Sequence, residues 1–319
     1  MRKTVFRMAA WVLALILALA CIPAAFAEDD ERVPYTPYTL PFDMSGGAPF
    51  KASFKTNPEV YEDPTIRVEY HHMQVGVRED EDQNRTYKYF YAIVTIGHGS
   101  QLRTAAADPN NFVRGRMAPA VSMAKRVNAV LAIDGDFCNS YYGQEGSKYC
   151  LRQGTVYRDT VVDYLDMLLI DEDGDFHIYK GGPELADLNK EEIDGRKIIN
   201  AFQFGPALVI DGEPVPDEYI LDPAHSPVTS QPENLAARVC IAQIDQLQYL
   251  VFNNWYGLNL AQVRDLVMSL APCKTVYVLD GGNSGQMVYL KSQVNENANN
   301  IRDIYDIIYF ASAYFTEGE

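Results

Sequence analysis

The 319-residue chain predicts an α+β fold: one compact domain of mixed, mostly antiparallel sheets with a few helices packed on them. Three observations carry that prediction. Strand-like runs come in pairs joined by short polar turns, so hairpins outnumber crossover helices. Stretches with apolar residues at helical spacing are few and lie apart. The composition, 47% hydrophobic and 22% charged with no internal repeat, is that of a chain able to bury a full core.

In chain order, Arg2, Lys3 and Arg7 precede an apolar run, residues 8–26, that ends in Ala25-Phe26-Ala27 before an acidic stretch. A basic start, an apolar centre and a small-x-small end describe a secretory signal peptide over residues 1–27. The run is nearly long enough to span a bilayer, so an uncleaved anchor through residues 8–26 is the competing reading. Either one places the domain outside the cytoplasm, secreted or tethered. Cleavage removes three of the 27 basic residues and none of the 43 acidic ones, taking the net charge from −16 to about −19. Such a surface repels nucleic acid and anionic lipid, so an anionic ligand must be held by individual cations. Export leaves Cys138, Cys150, Cys240 and Cys273, an even number that permits two disulfides. A Cys138–Cys150 bridge would close a small loop worth about 3 kcal/mol, but the sequence does not choose among the three pairings.

Residues 28–64, rich in Pro and Tyr, read as an extended arm or linker, and residues 65–319 as the domain. IRVEYHHMQVGV and YKYFYAIVTIG flank a charged turn and form a hairpin. Residues 117–126, with Pro119 near the start, predict a helix feeding the apolar strand VNAVLAID. Residues 139–154 are a long polar loop. MLLIDEDGDFHIYK and AFQFGPALVIDGEPV are hairpins on Asp-Gly turns, with a helix expected between them over residues 184–197. ARVCIAQI and LQYLVFN pair as another hairpin, residues 258–270 form a helix, TVYVL is a buried strand, and residues 303–314 close the fold as a strand.

Two of these strands end alike, in Asp134-Gly135-Asp136 and in Asp280-Gly281-Gly282. A carboxylate at a strand tip, beside glycines that let backbone or ligand approach, marks a site, and two such tips can converge on one pocket. Asp134, Asp136 and Asp280 are therefore the candidate acid, base or nucleophile. Arg238, among apolar strand residues, needs an anion or an acidic partner. Gly281, Gly282 and Asn283, before Ser284, can present backbone N–H groups to an anion. The run from Gly282 to Gln286 misses the G-x-S-x-G elbow at its last position, and none of the five histidines stands where it could serve Ser284.

The ordered set AIDGDF, FGPALVIDG, ARVCIAQ, GLNLAQVRDLV and VYVLDGGNSGQM resembles the phosphodiester glycosidase family over roughly residues 127–287. The resemblance implies a site made of Asp134 and Gly135, Arg238, and Asp280, Gly281, Gly282 and Ser284, with Gly205-Pro206 as scaffold. Asp134 stands where the family commonly has asparagine, and Asn283 where it often has a small residue. A protonated or cation-paired Asp134 would reconcile the first difference with a phosphate ligand.

The activity implied is hydrolysis of the sugar C1–O bond in sugar-1-phosphodiesters of envelope or extracellular glycopolymers. The departing phosphate monoester has a second pKa of about 6, so it needs little protonation at neutral pH. Such a site requires a cation for the phosphate, here Arg238, and a carboxylate to activate water or stabilise the oxocarbenium-like centre, here Asp280 with Asp134 or Asp136 as second choice. No cofactor is called for, although a divalent metal is compatible, and oligomeric state is not encoded legibly. The rival is a non-catalytic envelope protein that binds acidic glycans in the same cleft; the enzyme reading requires Asp134, Arg238 and Asp280 to share one pocket. Export makes one directly checkable statement: N-terminal sequencing of the protein recovered outside the cytoplasm is expected to begin at Glu28, whereas a retained anchor would leave Arg2, Lys3 and Arg7 in place.

Overall fold

The computed structural model describes residues 39–79, 84–113, 116–135, 148–227, 231–295 and 301–315. The leader, most of the loop 139–154, and the positions Asp136 and Cys138 lie outside the described residues. Strands dominate, in sheets of eight, six and five, and every pairing is antiparallel among the described residues. Among the described residues the α-helices are few and short, Ala120–Arg126, Asp217–Ile220 and Leu260–Leu270. No helix among the described residues is long and apolar enough to cross a membrane.

The hairpins form where the alternating runs flank turn residues. Ile66–Glu79 pairs with Asn84–Ile96, and Ala236–Asp245 with Gln248–Leu258. Met167–Asp171 pairs with Phe176–Tyr179. Ala207–Ile210 turns onto Glu213–Pro214 through Asp211 and Gly212, both at positive φ (53° and 82°), the geometry an Asp-Gly pair favours. Asn259 caps the helix Leu260–Leu270 reciprocally with Gln262.

Two expectations are corrected. Residues 184–197 are not a helix. One 3-10 turn, Pro183–Ala186, is followed by Glu192–Ile193 and Arg196–Phe202, paired across Asp194 and Gly195 at φ 51° and 78°. That Asp-Gly turn outweighs the helix propensity of the charged residues before it. The second correction concerns sulfur: Cys150, Cys240 and Cys273 are free, buried thiols. Cys150 packs with Ala106 and Phe112 in a small apolar cluster, and burial alone pushes the Cys273 thiol up to about 12.

The segment expected to be an arm is bound to the domain over its described part. Leu40 is buried with its N–H on Ser100 Oγ (3.0 Å), the buried Arg103 guanidinium donates to the carbonyls of Pro41 and Asp43 (2.7 Å each), and Val60–Asp63 pairs with Ile66–Glu79. The last strand, Asp306–Ala311, runs between Ala129–Asp134 and Leu102–Ala106.

One polar hub joins the eight- and six-stranded sheets. The buried Asp166 carboxylate accepts from Gly181 N (2.8 Å), Ala207 N (2.8 Å) and Tyr219 OH (2.6 Å), and its backbone carbonyl accepts from Tyr277 OH (2.8 Å). Asp166→Ala would strand those donors in the interior and is expected to lower unfolding stability by about 3 kcal/mol, read by urea denaturation; a change within a few tenths would show that water replaces the carboxylate.

Candidate active site

Asp134 ends a strand that is buried on both faces. Val130, Leu131 and Ile133 join the main core, while Ala129 and Ala132 pack with Ala120, Met123 and Ala124 of the first helix. An uninterrupted apolar run is what such a position demands. Asp280 follows Thr275–Leu279, also buried throughout, which runs between Ala236–Asp245 and Ala207–Ile210 in the eight-stranded sheet. The two tips thus come from different sheets. A backbone hydrogen bond joins them, Asp280 N donating to Gly135 O (3.2 Å), while Asp134 N to Gln286 O (3.2 Å) and Gly135 N to Asp306 O (3.1 Å) fix the first tip within its own sheet.

The glycines are steric requirements. A Cβ on Gly135 would lie 2.4 Å from Asp306 Oδ1, and one on Gly281 would lie 2.5 Å from the Ala237 carbonyl oxygen. Gly282 has φ +59° and opens the short turn Gly282–Ser284.

A cavity of about 210 Å³ lies at the junction, lined among others by Asp134, Gly135, Asp280, Ser284, Arg302 and Asp306. The Asp134 Oδ1 accepts from Gln286 N (2.8 Å), and Oδ2 has no hydrogen-bond partner among the described residues. Burial, followed by the charge of Asp280, holds the Asp134 carboxyl well above the usual carboxylate range. Burial also raises Asp280, but Arg302, the Ser284 hydroxyl and Lys148 oppose it. The Arg302 Nη2 reaches Asp280 Oδ2 at 3.1 Å and its Nε donates to Ser284 Oγ at 2.6 Å. The proton of the pair therefore belongs on Asp134 and the charge on Asp280.

The guanidinium in this cavity is Arg302, and Arg238 is not among the lining residues. Arg238 lies beside the Asp280 strand, where its neighbour Val239 pairs with Leu279. Its Nη2 donates to the carbonyls of Gln231 (2.8 Å) and Asn234 (3.0 Å), and burial lowers its pKa to about 10. Gly205 has φ +71° and precedes a cis Pro206, whose carbonyl accepts from Val278 N (3.3 Å) beside the same strand. Asn283 contributes its carbonyl to Arg302 N (3.0 Å).

Sequence reasoning missed four contributors. Arg302 and Asp306 sit in IRDIYD, where charges directly before an apolar strand were the available signal. Asp306 is buried and paired with the buried Arg152 (Nε to Oδ2, 3.2 Å). Gln286 places its side chain between Ala120 N (3.0 Å) and Arg302 O (2.9 Å), tying the helix start to the cavity. Lys148 stands at the edge of the polar loop and gave no signal. Among the described residues no group of three or more His, Cys, Asp or Glu is placed to hold a metal ion.

The sequence profile of the phosphodiester glycosidase family matches residues 127–311, more than half the chain. Among solved structures, the chain is similar to the zebrafish N-acetylglucosamine-1-phosphodiester alpha-N-acetylglucosaminidase catalytic domain, auto-inhibited by its pro-peptide. That match has a TM-score of 0.61 and 15% identity, covering 90% of this chain and 99% of that one. A hypothetical protein from Synechocystis matches with a TM-score of 0.47 and 13% identity, over 80% of this chain and 64% of that one. At 15% identity the likeness to the zebrafish domain is one of fold. No curated protein matches.

The proton on Asp134 has a measurable consequence. A carboxyl whose folded pKa lies above its unfolded value stabilises most at low pH, and that stability is lost as pH rises from about 4 towards the folded value. Asp134→Asn removes the ionisation, so the variant is expected to match wild type near pH 4 and to melt progressively higher than it above that pH. A constant difference in Tm across the range would place the proton elsewhere.

Proposed function

Because the chain belongs to the phosphodiester glycosidase family, we propose that it is an exported hydrolase cleaving the C1–O bond of sugar-1-phosphodiesters in envelope or extracellular glycopolymers. The observation that carries this reading is a pair of carboxyl groups in one cavity, Asp134 favouring its proton and Asp280 its charge. Two acidic groups pushed apart in this way form the usual division of labour at a glycosidic centre.

In the proposed reaction the sugar lies over Asp280, whose charge faces C1 as positive charge develops there. The C1–O bond breaks with its electron pair on the phosphate oxygen, releasing a phosphate monoester. Water supplies the hydroxyl at C1, and its proton passes to Asp280 or to solvent. Asp134, acting as the neutral equivalent of an asparagine, donates to a sugar oxygen from its Oδ2, which has no partner among the described residues. This also accounts for an aspartate where the family commonly has asparagine, since a neutral carboxylic acid does not repel phosphate. Ser284 and Arg302 keep Asp280 oriented and ionised. Arg238 serves at one remove, holding residues 231–234 against the strand beside Asp280.

A purely glycan-binding protein has no use for two desolvated carboxyl groups at the floor of a cavity, each costly to bury, and this favours the enzyme over the binding module. Purified protein is expected to hydrolyse a member of a sugar-1-phosphodiester panel, assayed with and without chelator. Asp280→Asn should lower kcat by about 100-fold or more while leaving the melting curve intact. Activity should fall on the acid side with a midpoint above 3.8, because the working Asp280 is ionised and burial raises its pKa. Wild-type turnover in Asp280→Asn would remove Asp280 from the chemistry.

A further inference from the structure

We propose that a groove at the end of the eight-stranded sheet, walled by Trp255 and Tyr256, binds a sugar ring of the glycopolymer beyond the bond that is cleaved. The inference rests on reading the neighbouring cavity as a sugar-1-phosphodiester site, and it makes the substrate a chain of sugars rather than a single one.

The groove is a cavity of about 330 Å³, larger than the one at the carboxyl pair, lined among others by Tyr87, Lys88, Leu235, Trp255, Tyr256 and Gly257. The backbone builds it. The ladder between Asn84–Ile96 and Gln248–Leu258 ends at Asn254 opposite Tyr89. On the other side of the strand Arg238 pairs with Asn254 and Ala236 with Leu258, so Trp255, Tyr256 and Gly257 stand against Ala237 alone. Such a bulge re-aims the side chains it carries, and Gly257 takes a φ of 96° within it. Asn254 makes up for the interrupted ladder: its Oδ1 accepts from Arg238 N and its Nδ2 donates to Ala236 O, both at 2.8 Å. The Arg238 guanidinium holds the carbonyls of Gln231 and Asn234, directly before Leu235. Lys88 Nζ lies 4.5 Å from the centroid of the Trp255 ring and orients it, while Tyr256 is 66% exposed.

The groove is continuous with the candidate active site. Ala237, which faces the bulge, also sets its carbonyl oxygen against Gly281, where a Cβ would lie 2.5 Å away. Asn253, two residues before Trp255, accepts from Asn295 Nδ2 (3.3 Å), and the same amide donates to Gly285 O (2.8 Å) beside Ser284. Two strand spacings, about 10 Å, separate the strand of Trp255 from the one that ends at Asp280, a distance that a short oligosaccharide spans. The chemistry of the walls selects the occupant. A pyranose presents flat C–H faces and a rim of hydroxyls; aromatic rings receive the first, and the Lys88 ammonium and the tyrosine hydroxyls suit the second. Nucleic acid, whose bases also stack, is repelled by a net charge of −16. A standard protein interface covers about 800 Å² per partner, a broad surface rather than one groove.

The chain has two tryptophans, Trp11 and Trp255, so a full-length Trp11→Phe protein reports on the groove alone. The test is to screen that protein on an array of phosphate-free neutral and acidic oligosaccharides, then to titrate the strongest binder while following tryptophan emission. Binding is expected to change the Trp255 emission, and Tyr256→Ala to weaken it about tenfold. Because Tyr256 is largely exposed, Tyr256→Ala should melt with wild type. No binder on the array, an affinity untouched by Tyr256→Ala, or a Tm lowered by that substitution overturns the proposal. So does a dimer, seen by sedimentation at rising concentration, that Tyr256→Ala dissolves, since a second copy would then occupy the groove and the exposed Val75 and Val77 beside it. The two readings fail separately. Sugar binding without turnover of any diester overturns the hydrolase and keeps the groove; diester turnover with no sugar bound does the reverse. Where both hold, diesters with longer sugar chains are expected to show a lower KM than short ones, and Tyr256→Ala to abolish that difference.

Discussion

Two carboxyl groups brought together away from water cannot both be charged cheaply, and the site is organised around that constraint. Asp134 and Asp280 each lose solvation, and each ionisation raises the cost of the other. The surroundings break the tie. Asp280 receives a guanidinium, a hydroxyl and a nearby ammonium, whereas Asp134 receives one backbone N–H. The result is one carboxyl group that favours its proton and one that favours its charge, from the same residue type, by placement alone.

Holding that pair requires rigid backbone on both sides. The strands arrive from separate sheets, so their tips are joined by a backbone hydrogen bond, Asp280 N to Gly135 O, rather than by a shared ladder. Glycine allows the approach at Gly135 and Gly281, where a methyl group would strike Asp306 or the Ala237 carbonyl. Asp306 is in turn paired with the buried Arg152, which offsets part of the negative charge that it brings to the cavity wall. Gln286 then connects the first helix, the Asp134 strand and the Arg302 segment through its own side-chain and backbone groups.

Much of this was legible in the chain. Alternating runs flanking polar or Asp-Gly turns gave the hairpins, and two apolar strands ending in Asp-Gly pointed to Asp134 and Asp280, because burial on both faces leaves an uninterrupted apolar signature. The helix expected over residues 184–197 failed because charged, helix-tolerant residues concealed a further Asp-Gly turn at Asp194-Gly195. Arg238 looked like the cation because arginine in an apolar strand needs acceptors, but backbone carbonyls can provide them, and sequence does not distinguish carbonyls from phosphate. Arg302 and Lys148 escaped notice because their importance comes from what lies across the fold, which no local pattern records.

The ion pair at the cavity mouth has a kinetic implication. The backbone of Arg302 is pinned by Asn283 and Gln286, while its guanidinium is 44% exposed. Release of Asp280 by Arg302 therefore needs only a change of side-chain torsion, on the order of nanoseconds for an exposed residue. Turnover in enzymes takes roughly a millisecond or longer. Under the proposed hydrolysis, exchange of partners at Asp280 is thus at equilibrium throughout each turnover, and this contact tunes how often the carboxylate is available without becoming the slow step.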